Sequence, residues 1–213
     1  EADKLFKLAF GRDTQSFYVF NGTAANVLAI DSLVQSHNSV LCGETSHLWQ
    51  DECGAPQRLI GCQLIPVPTK DGKLTPELLN QYLVRLGDQH TSQPAAFSIT
   101  QPTELGTLYT LKELKALGEF ARENSLGFHM DGARLTNAAA ALNCTLAQTS
   151  FEAGVDALSF GGTKHGLLHS EAVILKNKEL GKVFKFRRKQ AMQLPSKTRF
   201  IAAQFMAFLE DNL

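Results

Sequence analysis

Short apolar runs alternate with amphipathic stretches along most of the chain. Phe17-Tyr18-Val19-Phe20 is a compact aromatic and β-branched run, the composition that suits a strand. It stops at Asn21-Gly22-Thr23, and a helical pattern follows over residues 24 to about 35. Val40-Leu41 and Leu64-Ile65 mark further short strands. Residues 76–86 read as a helix, with Thr75 as N-cap and Pro76 in the first turn. Residues 95–100 form a second clear strand pattern, and residues 111–123 an amphipathic helix capped by Thr110. Gly127-Phe128-His129-Met130 is a short strand running into Asp131. Ala157-Leu158-Ser159-Phe160 is another, closed by a Gly-Gly turn, and residues 172–175 follow as a further strand. Residues 178–213 are helical in pattern and stop in mid-pattern at Asp211-Asn212-Leu213, which predicts more chain beyond.

Strands that alternate with helices predict an α/β fold on a mostly parallel sheet. Ligands of such sheets sit beyond the carboxyl ends of the strands. The polar residues of interest fall there: Asn21-Gly22-Thr23, Gln101 to Gly106, Asp131 and Thr163-Lys164 each follow a strand.

Composition narrows the class without naming a function. Hydrophobic residues make up 44% and charged residues 20% of 213, and 21 basic groups balance 21 acidic ones. A disordered chain needs lower hydrophobicity and a larger net charge, and a neutral chain is a poor polyanion binder. No stretch approaches the ~20 apolar residues of a membrane helix, so no membrane partner is expected. The start, Glu1-Ala2-Asp3-Lys4, is unlike a signal peptide and lacks an initiator Met, so the chain reads as a processed or excised piece. Cys42, Cys53, Cys62 and Cys144 include no C-x-x-C pair. They are expected to be free thiols in a cytoplasmic protein, with no metal site.

Gly22-Thr23 opens a helix directly after a strand, where free backbone N–H groups and a partial positive charge suit a phosphate. The plainer alternative makes Thr23 an ordinary N-cap. No P-loop or G-x-G-x-x-G pattern is present. Lys164 follows an apolar strand and two glycines; a lysine partly desolvated there has its amine freed for Schiff-base chemistry, and the plainer alternative is a solvated surface lysine. Asp131 can hold a cationic ring nitrogen, pair with Arg134, or cap the helix beginning near Leu135. His47 can stack on a planar cofactor, with Glu52 a little further on, or be a structural histidine. The run from Lys182 to Lys189 holds Arg187 and Arg188 between Phe184 and Phe186. It reads as a solvated helix face with both phenylalanines buried; the alternatives are nucleic-acid contact, or one arginine reaching a phosphate.

Taken together these residues resemble the fold-type-I pyridoxal-phosphate enzymes of the threonine aldolase and β-eliminating lyase group, most of all the low-specificity L-threonine aldolases. The motifs that carry the resemblance begin with Phe20-Asn21-Gly22-Thr23-Ala24-Ala25-Asn26, Ser46-His47 with Glu52 and Gly54, and Thr103-Glu104-Leu105-Gly106-Thr107. The more specific ones are His129-Met130-Asp131-Gly132-Ala133-Arg134 and Ser159-Phe160-Gly161-Gly162-Thr163-Lys164; Ser196-Lys197, Arg199-Phe200 and Ala203-Gln204 also fit. The resemblance implies a three-layer α-β-α architecture, pyridoxal 5′-phosphate as cofactor, and retro-aldol cleavage of a β-hydroxy-α-amino acid such as L-threonine or L-allo-threonine. It implies Lys164 as the covalent anchor, Asp131 as partner of the pyridine nitrogen, and His47 as the stacking residue and a candidate base. Gly22 and Thr23 would hold the phosphate, with Arg188 or Arg187 a weaker match near it. Arg134 would contact the cofactor phenolate or the substrate carboxylate.

The resemblance further implies a homodimer or homotetramer whose site lies at the subunit interface. It divides the chain into a cofactor-binding large domain, residues 1–180, and a helical tail, residues 181–213, leading toward a small C-terminal domain. Its relatives extend before the region of Glu1 and after that of Leu213, so the chain reads as the large domain of a longer enzyme. Three other readings stay open: β-elimination or dehydration on the same scaffold, a non-catalytic oligomeric protein that kept the fold, and a nucleic-acid binder.

Overall fold

The apolar runs become the strands of one sheet. In the computed structural model, which describes residues 1–210, these strands are β1 (Gln15–Val19), β2 (Asn38–Gly43), β3 (Gln63–Val67), β4 (Gln93–Thr100), β5 (Gly127–Gly132), β6 (Ala157–Gly161) and β7 (Glu171–Leu175). Their order is β1-β7-β6-β5-β4-β2-β3. The pairs β2–β3, β2–β4, β4–β5 and β5–β6 are parallel, while β7 runs against both β1 and β6. The sheet is therefore mostly parallel, with β7 the one reversed strand among those described.

Helices cover both faces. They are α1 (Ala2–Phe10), α2 (Gly22–Asp31), α3 (His47–Gln50), α4 (Ala55–Ile60), α5 (Pro76–Asn80), α6 (Leu111–Glu123), α7 (Leu135–Leu142), α8 (Lys178–Gln190) and α9 (Thr198–Glu210). Side chains alternate across each strand, so neighbours in sequence enter different cores. Tyr18, Leu41, Leu158 and Ile174 join the core on one face. Val19, Ala157, Val173 and Leu175 join a second cluster on the other face, and Val40 and Cys42 a third. The first core is built on aromatic rings: Phe6 and Phe10 of α1, Phe160 of β6 and Phe205 of α9 lie 5.0–6.3 Å apart by ring centroid.

Four features depart from the sequence reading. The helix expected over 76–86 ends at Asn80: Thr75 caps it through a bond from Leu78 N–H, but Tyr82, Leu83 and Leu86 then close three-residue turns. The N-terminal α1, which the reading passed over, buries Ala2, Phe6 and Phe10 at four-residue spacing. Phe184 is buried, but Phe186 is 59% exposed, because residues two apart point to nearly opposite sides of a helix. The expected boundary at 180/181 falls inside α8, and α9 packs Ile201, Phe205 and Phe208 into the main core. The expected break at Asp211-Asn212-Leu213 lies outside the described residues. No described helix is long and apolar enough to cross a membrane.

Candidate active site

The carboxyl ends of β1, β5 and β6 meet the start of the reversed β7 at one edge of the sheet, where Val19 and Gly161 both pair with Glu171. A cavity of about 250 Å³ opens there, with Gly22, Thr23, His47, Asp131, Ser159 and Lys164 in its wall. A larger depression of about 390 Å³, lined by Lys115, Arg122, Asp156 and Lys176, lies at the other edge, where β5 and β6 begin.

The start of α2 forms one wall. Asn21, in extended backbone, caps the helix by accepting from Ala24 N–H at 2.8 Å. Thr23 is therefore not the N-cap but the second helical residue. The first-turn N–H groups of Gly22 and Thr23 have no helical acceptor to meet. A Cβ built on Gly22 meets nothing within 4 Å. Packing thus does not demand glycine here, and the space over the helix start is open to a ligand.

The next residues arrive from three elements and touch. Asp131, near the end of β5 and 5% exposed, accepts from Ala133 N–H at 3.0 Å through Oδ1 and from Asn26 Nδ2 at 2.9 Å through Oδ2. Asn26, buried within α2, donates again to Glu52 Oε1 at 3.0 Å. Glu52 Oε1 also lies 3.1 Å from Nδ1 of His47, the first residue of α3. Asp131 neither caps α7, whose N-cap is Arg134, nor pairs with Arg134; the guanidinium sits 3.9 Å from Glu104 instead.

Lys164 lies on a single 3₁₀ turn, Thr163–His165, immediately after β6 and facing the cavity. It is exposed, as the solvated alternative has it, and not partly desolvated. His165 Nδ1 donates to the Gly161 carbonyl at 2.8 Å, and Gly162 N–H donates to Ser170 O at 2.9 Å, so the turn is fixed to both neighbouring strands. Gly161 permits the approach of the next loop: a Cβ there would lie 2.5 Å from Ala133 O.

Behind the wall, His129 is fully buried between two hydroxyls, Ser98 Oγ at 2.8 Å from Nδ1 and Ser159 Oγ at 3.0 Å from Nε2. Burial pushes its imidazole down to about 4, against the opposing pull of Asp131. Glu171, 7% exposed at the cavity, is raised by burial, which the donors of Thr163 and Gly162 partly offset.

Two arginines stand apart from this set. Arg188 Nη1 donates to Tyr18 O at 3.1 Å, and its guanidinium lies 5.5 Å from the Phe17 ring centre. Arg187 pairs with Asp31 at 3.3 Å. Neither is among the residues that line the cavity. Asn26 and Ser159, present in the sequence motifs but given no role there, and Glu171, which the sequence did not point to, also reach the cavity wall. A local signal marks Asn26, the only polar residue in the run from Ala24 to Ile30.

The beta-eliminating lyase family model matches residues 4–213. The chain is 45% identical over 208 residues to a low specificity L-threonine aldolase of a Pseudomonas strain, covering 97% of this chain and 60% of that protein. It is 45% identical over 212 residues to the enzyme of the same name from Pseudomonas aeruginosa, covering 99% of this chain and 61% of that one. The structure superposes on the threonine aldolase of Leishmania major with a TM-score of 0.94 at 28% identity, over 100% of this chain and 62% of that one. The chain thus spans about three-fifths of the length of the curated relatives it matches.

Proposed function

The chain belongs to the beta-eliminating lyase family, and from that premise we propose that it is the large domain of a pyridoxal-phosphate-dependent aldolase. The reaction is cleavage of L-threonine or L-allo-threonine to glycine and acetaldehyde. The observation that carries this reading is the meeting of Lys164, Asp131, His47 and the open start of α2 around one cavity. The names and extent of the 45% identical relatives support the substrate class.

The residues present fit the cofactor. A phosphate suits the unpaired N–H groups of Gly22 and Thr23, where no Cβ intrudes. A buried carboxylate, Asp131, suits a protonated ring nitrogen, and the Lys164 amine suits an aldehyde. When bound, pyridoxal phosphate supplies the electron sink for the pair released as the Cα–Cβ bond breaks. Asp131 would hold a proton on the ring nitrogen. Lys164 is the amine that would hold the cofactor aldehyde. His47 would lie against the cofactor ring, with its Nε2 placed to take the proton from the substrate β-hydroxyl. Arg134, 43% exposed in its side chain and loosely paired with Glu104, is free to turn toward the substrate carboxylate or the cofactor phenolate. Arg188 contributes at one remove, by holding the end of β1 that leads into the phosphate site.

The assembly is a cytoplasmic homodimer or homotetramer with the site at the subunit interface. Phe20, in the cavity wall, is 41% exposed, and Trp49, two residues from His47, is 39% exposed; a second copy covers this apolar rim. The four free cysteines agree with a reducing compartment. No nucleic-acid partner is part of the reading. The test is an assay of the full-length gene product on L-threonine. Glycine and acetaldehyde in equal amounts are expected, and ammonia with a keto acid instead would assign the scaffold to β-elimination.

A further inference from the structure

Four side chains, from α2, α3, the link between α3 and α4, and β5, form one hydrogen-bonded line from the cavity wall to the end of β5: His47, Glu52, Asn26 and Asp131. The orientation of its central amide follows from chemistry alone. An asparagine amide carries two N–H donors on nitrogen and only lone pairs on oxygen, whereas a carboxylate only accepts. Asn26 Nδ2 lies 3.0 Å from one carboxylate and 2.9 Å from another, so both N–H groups are used. The flipped amide would set Oδ1 against two anionic oxygens.

The remaining hydrogen then has one place to be. Glu52 Oε1 accepts from Asn26 and lies 3.1 Å from His47 Nδ1, so that nitrogen must bring the proton. Nε2 is left with its lone pair and with no hydrogen-bond partner among the described residues. The arrangement is costly as mere packing. The Glu52 side chain is fully buried, with His47 its only ion-pair partner among the described residues. Glu52 Oε2 and Asn26 Oδ1 are buried with no hydrogen-bond partner among the described residues. Buried acceptors left unpaired are destabilising, and an apolar side chain would fill the same space without that cost.

We infer that Glu52 and Asn26 are positioning residues that fix His47 as the Nδ1–H tautomer, leave its Nε2 lone pair as the acceptor, and tie its ring to Asp131. The consequence for catalysis rests on the aldolase reading; the tautomer itself does not. In that reading a proton leaving the substrate β-hydroxyl forms the N–H bond at Nε2. The charge so placed on the ring lies beside the Glu52 carboxylate, as in the carboxylate–histidine pairs of hydrolases.

The test reads the ring nitrogens of His47 by long-range ¹H–¹⁵N correlation in the full-length gene product, before substrate is added. Wild type and Glu52→Gln, which keeps an acceptor oxygen, are expected to show a protonated Nδ1 and a bare Nε2. Glu52→Leu removes the acceptor and is expected to move the proton to Nε2. A wild-type ring protonated at Nε2 alone, or a Glu52→Leu ring still protonated at Nδ1, overturns the inference; if Glu52→Leu does not fold, the first two spectra decide. In the full-length gene product, Glu52→Leu is expected to lower kcat roughly 100-fold with KM little changed. A rise in KM at unchanged kcat would instead assign Glu52 to substrate binding. Failure of wild type to release acetaldehyde would sink the aldolase reading while leaving the tautomer result intact.

Discussion

His129 is the residue whose burial has the plainest thermodynamic consequence. Its folded form titrates near 4, against an ordinary value of 6.5, with burial the main cause. Between those values the unfolded chain binds more protons than the folded one, so stability falls as pH drops from 6.5 toward 4. The expected loss from pH 7 to pH 5 is about 2 kcal/mol, read as urea midpoints, and His129→Gln should flatten that slope. An equal slope in both proteins would deny His129 the role. Gly22 gives the complementary test. Because a Cβ there meets no protein atom within 4 Å, Gly22→Val should leave the melting temperature almost unchanged. It should weaken pyridoxal phosphate binding about tenfold or more, ~1.4 kcal/mol, as measured by equilibrium titration. Residues of this kind differ in how far the sequence exposes them. Lys164 and Asp131 were legible because each follows an apolar strand, where an α/β sheet puts its ligand. Asn26, Ser159 and Glu171 were not, because they join the site through folding and their local sequence carries only faint signs of it. Arg188 was legible as a cation, yet its contact with the Tyr18 carbonyl depends on how α8 lies against β1.

At the scale of elements, the clearest case of sequence dictating structure is α6. Thr110 Oγ1 accepts from Glu113 N–H at 3.2 Å while Glu113 Oε2 accepts from Thr110 N–H at 2.7 Å, a reciprocal cap written in four residues. Thr110→Ala should cost about 1 kcal/mol, a fall of roughly 2–4 °C in Tm for a chain of this size. No change would mean that Lys73, whose Nζ is 2.6 Å from Glu113, holds the helix end unaided. The strands were legible for a similar local reason, their aromatic and β-branched runs. The short α3 and α4 were not, since helices of 4 and 6 residues carry little periodicity. Those two matter most for the site, because α3 presents His47 and the link between them bears Glu52.

The whole molecule is held by a core to which both ends of the described chain contribute. Phe6 of α1 and Phe205 of α9 lie 5.2 Å apart, and Tyr18 of β1 stacks on Phe205 at 5.8 Å. Phe205→Ala should therefore cost about 3–5 kcal/mol, measured by denaturant unfolding; a cost near zero would make α9 an appendage. The sequence anticipated helices in this region and a tail leading away. That α9 returns to the sheet follows from the facing aromatics of α1, a long-range pairing that periodicity does not encode. The shared core keeps the strand ends in register, and the strand ends hold the site. One measurement tests the central claim, that this edge of the sheet binds pyridoxal phosphate through Lys164. The full-length gene product is incubated with the cofactor, reduced with borohydride, digested, and the labelled peptide sequenced by mass spectrometry. A single pyridoxyl group on Lys164 is expected, lost in Lys164→Ala together with the visible absorbance band; no label, or a label spread over other lysines, would contradict binding through Lys164.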